Sequence, residues 1–142
     1  MSDSRRPPAS PVVPTRRQAR ERAFSLLYEA EAKAMTPRAL LATLPVEPAP
    51  FAVELLEGVD DHADVIDGYI RRFARGWALE RMPAIDRALV RLGVFELLHR
   101  PDVPTAAILS EAVELAGEYS TEESSRFVNG VLAEIAREVR PE

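Results

Sequence analysis

Residues 51–73 read Phe-Ala-Val-Glu-Leu-Leu-Glu-Gly-Val-Asp-Asp-His-Ala-Asp-Val-Ile-Asp-Gly-Tyr-Ile-Arg-Arg-Phe. Phe51, Leu55, Val59, Ala63, Ile66, Ile70 and Phe73 recur at spacings of three and four, so they line one stripe of an α-helix. Gly58 and Gly68 interrupt the run. It therefore reads as one long helix or as two helices broken near Gly58–Asp61. No part of the chain alternates apolar and polar residues for long enough to make a convincing strand.

The same period continues on both sides. Upstream, Thr15-Arg16-Arg17-Gln18 fits a capping box and opens a helix with Ala19, Ala23, Phe24, Leu27 and Ala30 on its apolar face, fading near Ala34. Thr36 and Pro37 fit the cap and first position of a short helix ending near Leu44. Downstream, Arg75-Gly76-Trp77 reads as a turn. Pro83 opens a helix through Ile85, Leu89, Leu92, Phe95 and Glu96 to His99, and Pro101 and Pro104 stop it. Thr105 opens the next, with Leu109, Ala112, Val113, Ala116 and Tyr119 as its stripe. The last begins around Thr121–Ser124 and buries Phe127, Val128, Val131, Leu132, Ile135 and Val139. The expected fold is all-α, with six or seven helices and short connections. The domains are a disordered Pro/Arg-rich tail at 1–14 and one helical domain at 15–142.

The chain has 142 residues and no cysteine, which excludes a disulfide scaffold, a thiolate metal site and a cysteine nucleophile. Two histidines, His62 and His99, are too few for a histidine-built metal centre. No apolar run approaches membrane-spanning length, and the arginine-rich start lacks a signal-peptide core. A soluble cytoplasmic protein is expected. The net charge of −5 conceals an asymmetry: residues 1–22 carry six arginines against Asp3 and Glu21, or +4, leaving −9 for the rest. The basic arm suits a polyanion and the acidic body a basic protein.

Nothing in the pattern points to catalysis or a cofactor. There is no glycine-rich phosphate loop, and adjacent carboxylates such as Asp60-Asp61 and Glu122-Glu123 diverge on a helix. His62 reads as a partly buried structural residue. His99, in the last turn of its helix, is placed where a cation suits the dipole. Two stretches look like binding surfaces. Arg16, Arg17 and Arg20 sit on the first helical turns with Tyr28 beyond them, a pattern for tracking phosphates and stacking a base. Cations at a helix N-terminus oppose the dipole, which favours a ligand there over a merely solvated start. The run Arg126-Phe127-Val128-Asn129-Gly130 lowers helix propensity. Gly130 suggests close approach of another backbone, and Asn129 satisfaction of a neighbouring helix.

As an ordered set, several stretches resemble the bacterial NusB transcription antitermination family. They are Arg16-Arg17-x-Ala-Arg20 with Leu-Tyr28, Gly58-Val59-x-x-His62, Trp77-x-Leu-x-Arg81, and Ile85-Asp86-Arg87-x-Leu-x-Arg91. Glu111-Ala-Val-Glu-Leu-Ala116 and Phe127-Val-Asn-Gly-Val-Leu132 complete the set. The resemblance covers about residues 15–140. Ser110 stands where the family commonly has asparagine, and Gln18 interrupts the arginine cluster.

The resemblance implies a bundle of about seven helices in two packed subdomains, without enzymatic activity. It implies binding to boxA, a single-stranded element of ribosomal-operon leader RNA, together with ribosomal protein S10. It also implies action on elongating RNA polymerase with other Nus factors. Arg16, Arg17, Arg20 and Tyr28 would contact RNA, as would Thr121, Glu122, Glu123, Arg126 and Phe127. Asp86, Arg87 and Val90 would lie on the surface for ribosomal protein S10. Two alternatives are an accessory RNA-binding domain of an rRNA methyltransferase, whose catalytic domain these 142 residues lack, and an autoinhibited homodimer.

Overall fold

The computed structural model describes residues 14–141, so the tail expected at 1–14 lies, but for Pro14, outside the described residues. Seven α-helices follow in order: α1 (Arg16–Ala32), α2 (Pro37–Thr43), α3 (Pro50–Asp61), α4 (Ala63–Phe73), α5 (Ala84–His99), α6 (Thr105–Tyr119) and α7 (Glu122–Val139). A short 3-10 turn at Leu79–Arg81 precedes α5, and there is no strand among the described residues. Helices α1–α3 pack as one group and α4–α7 as another, joined where α1 and α3 meet α5.

The predicted caps form. Thr15 accepts from the Gln18 N–H while the Gln18 side chain accepts from the Thr15 N–H. Thr36 and Thr121 cap α2 and α7 by the hydroxyl alone, accepting from the N–H groups of Ala39 and Ser124. Gly76 takes a left-handed φ of +79° in the predicted turn, a conformation that costs glycine nothing.

The long periodic stretch is two helices, with the break at His62, directly after the Gly58–Asp61 stretch where it was expected. His62 ends α3 and begins α4. Gly58 lies within α3 because Phe95 occupies the space beside it; a Cβ there would sit 2.1 Å from the ring. Gly93 plays the same part against Leu132. Helix α5 is apolar on nearly every side and runs through the core, burying Leu89, Val90, Leu92, Val94, Phe95 and Leu97. On α6 the buried face is Ile108, Ala112, Leu115 and Ala116. That is turned from the expected stripe, and Tyr119 is exposed.

Arg140 closes the bundle. Its guanidinium donates to the carbonyls of Glu96, Leu97, Arg100 and Val103. These include the carbonyls of Glu96 and Leu97 in the last turn of α5, where intrahelical donors run out.

Candidate nucleic-acid interface

The arginines at the start of α1 all find carboxylates. Arg16 reaches Asp102 at 3.3 Å. Arg17 faces three acids on α6: Glu114 at 2.6 Å, Glu111 at 3.6 Å and Glu118 at 3.9 Å. Arg20 is buried, with 7% of its surface exposed, and forks onto both oxygens of Glu96. The dipole argument from sequence is therefore answered inside the protein, because the charges unfavourable to the helix are paired across it. Arg16 and Arg17 remain about half exposed and open to an outside anion. Arg20, expected among the RNA contacts, is turned inward and offers no surface.

The start of α7 borders a cleft of about 570 Å³ lined by Trp77, Pro83, Asp86, Ser120, Thr121, Glu123, Ser124, Arg126 and Phe127. Trp77 is half exposed and stands edge-on to Phe127, with ring centroids 6.0 Å apart. Asp86 is 3% exposed, and its Oδ1 has no hydrogen-bond partner. Burial pushes the Asp86 carboxyl up from its ordinary value, opposed by the Ser124 hydroxyl. Asp86 thus brings a buried carboxylate, with one oxygen sealed and unpaired, into the cleft wall. Arg126 is exposed, and no ion pair holds it among the described residues.

A second, smaller slot of about 210 Å³ is formed by Phe24, Ser25, Tyr28, Ile85 and Tyr119. Tyr28 and Tyr119 are each 45% exposed. Tyr119 leans on Phe24 and donates to Glu21. The slot and the cleft adjoin: Ile85 lines one and Asp86 the other, Tyr119 one and Ser120 the other. Tyr28 from the first stretch and Arg126 and Phe127 from the second thus line two neighbouring aromatic clefts, while Arg17 faces α6.

The sequence pattern of the NusB family matches residues 17–137. The chain belongs to the NusB family. A relative from Beutenbergia cavernae named transcription antitermination protein NusB is 48% identical over 136 residues, covering 86% of this chain and 89% of that protein. One of the same name from Heliobacterium modesticaldum is 46% identical over 132 residues; the match covers 89% of this chain but 64% of that protein. Among solved structures, NusB of T. maritima superposes with a TM-score of 0.80 at 32% identity, covering 89% of this chain and 94% of that one. A structure of NusB and NusE in complex with dsRNA gives 0.74 at 25% identity, covering 87% and 96%.

In this NusB-family chain two of the three residues expected to meet ribosomal protein S10, Asp86 and Val90, are buried, and Arg87 is partly exposed. Val90 is fully buried. Arg87 bonds to Glu31 and to the carbonyls of Leu79 and Met82. Asp86 opens only into the cleft. Because α5 is the central helix, its polar residues serve the core and the groove. Asn129 and Gly130 also depart from expectation: both are exposed, and nothing lies within 4 Å of a Cβ built on Gly130. Trp77 and Tyr119 are cleft-lining residues that sequence reasoning missed as such; their only signal was lying beside turns and caps.

His62 and His99 stack at 4.1 Å beside Phe95, in a cleft of about 630 Å³ between α3 and α5. Desolvation first, and then His62, hold the His99 imidazole below its ordinary value. The neutral form is favoured, contrary to the cation expected from the helix dipole. No group of three or more acidic or histidine side chains among the described residues has the arrangement to hold a metal ion. No described helix is long and apolar enough to cross a membrane.

Proposed function

We propose that this chain is a transcription antitermination factor that holds single-stranded RNA in the groove from Tyr28 to Phe127. The observation that carries the reading is the adjacency of two aromatic clefts, one of them walled by the unpartnered Asp86 Oδ1. Slots of this kind take splayed, unstacked bases rather than a duplex. One base stacks between Tyr28 and Tyr119. A second enters beside Trp77 and Phe127, where its N–H groups donate to Asp86. Arg16, Arg17 and Arg126 neutralise phosphates, and the first turn of α7, opened by Thr121, adds backbone N–H groups. Glu122 and Glu123 face bases or sugars, because carboxylates repel phosphate.

The RNA is of boxA type, from leaders of ribosomal operons, and the helper is ribosomal protein S10, the NusE of the similar complex. A basic partner suits the acidic body of the chain. The pair would join other Nus factors on RNA polymerase in the cytoplasm. The test is binding of a labelled boxA-type RNA, with and without ribosomal protein S10, across a salt series. Tighter and sequence-selective binding with the helper supports the reading; no binding in either condition contradicts it. With few arginines engaged, the salt dependence is expected to be shallow.

A further inference from the structure

We propose that Glu114 and Glu118 of α6 compete with RNA phosphate for Arg17, and so set the RNA affinity of the free protein. The inference rests on the RNA reading above.

Three acids spaced i, i+3 and i+7 on α6 face one guanidinium. Their roles differ by burial. Glu111 has 19% of its side chain exposed, and its Oε1 is sealed without a partner, so it belongs to the packed surface under Arg17. Glu114 and Glu118 are about half exposed, like Arg17 itself. The Glu114 contact, 2.6 Å from Nη1, takes the fork that a phosphate oxygen would use. The Arg17 guanidinium is held above its ordinary value, first by the Glu114 hydrogen bond and then by the Glu114 and Glu111 charges. An exposed pair of this kind is weak enough to exchange.

An arriving phosphate must displace Glu114 and approach Glu118, while Glu111 stays and keeps Arg17 in place. The other arginines mark the ends of the same scale. Arg16 has one ion-pair partner, Asp102, which Arg100 already holds at 2.9 Å, and lies over the Phe51 ring, so its charge is readily released. Arg20 is sealed on Glu96 and never released.

The test is a four-protein comparison: wild type, Glu114→Gln/Glu118→Gln, Arg17→Ala, and the combination of all three changes. Each is titrated with a labelled single-stranded boxA-type RNA across a salt series. The glutamine pair is expected to bind roughly three- to tenfold tighter, with a log–log salt slope steeper by up to about 0.7. Adding Arg17→Ala should abolish the gain, and Arg17→Ala alone should cost less in the wild type than in the glutamine pair. Unchanged or weaker binding by the glutamine pair would overturn the competition. So would a gain that survives Arg17→Ala, which would mark it as bulk charge. RNA that binds none of the four proteins would instead overturn the RNA reading itself.

Discussion

Arg20 and Glu96 form a buried bidentate ion pair, with Nε and Nη2 each 2.8 Å from a carboxylate oxygen. The pair ties α1 to the central helix α5. Removing one member leaves the other charge buried and uncompensated, which costs about 3–5 kcal/mol. Arg20→Ala is expected to lose that much stability in urea denaturation, and Arg20→Met/Glu96→Leu far less. Arg16→Ala/Arg17→Ala, whose side chains are half exposed, should keep its circular dichroism unchanged while weakening RNA binding. A variant that also removed Arg20 would mix unfolding with lost contacts.

Two helical glycines should respond in opposite directions. Gly58→Ala drives a methyl into Phe95 and is expected to cost about 1–3 kcal/mol. Gly130→Ala meets open space in the middle of α7 and should gain roughly 0.5–1 kcal/mol. Thermal melts of the two variants check the contrast.

Asp86 should give stability a pH signature. Its carboxyl is raised in the folded state, so the folded protein holds the proton more tightly than the unfolded chain does. The penalty for ionising Asp86 is absent below the ordinary aspartate range. It grows as pH rises through that range to the raised value and is full at neutral pH. Asp86→Asn should therefore raise the melting temperature at pH 7 and lose that advantage towards pH 3. The same change should weaken RNA binding, because an amide presents one acceptor where the carboxylate presents two.

His99 carries the opposite sign. A depressed histidine binds fewer protons folded than unfolded, so its contribution to stability falls as pH drops through about 6.5. An NMR titration of the His99 ring should show a midpoint below 6.5. His62→Asn should move that midpoint upward but short of the ordinary value, because desolvation, the larger cause, remains.

Helix order, the caps at Thr15 and Thr36, and the turn at Gly76 were legible because they depend on neighbours three or four residues away. The break after Asp61 was legible as one of two readings; that Gly58 stays helical was not, since it owes its place to Phe95, distant in sequence. Arg20 reads as surface charge on α1, and only Glu96, 76 positions on, makes it interior. Asp86 is hidden for a related reason: on a helix buried on most sides, a polar residue has little outer face to occupy. The RNA stretches were visible as separate segments. Their union into one groove required Ile85–Asp86 and Tyr119–Ser120 to meet.

Trp77 is the only tryptophan in the chain, and it stands half exposed in the proposed base cleft. Its fluorescence should be followed during titration with single-stranded boxA-type RNA, while anisotropy of a label on the RNA reports binding. A saturable change in Trp77 emission with the same midpoint as the anisotropy is the predicted result. RNA that binds by anisotropy yet leaves Trp77 emission untouched would place it elsewhere and contradict the groove.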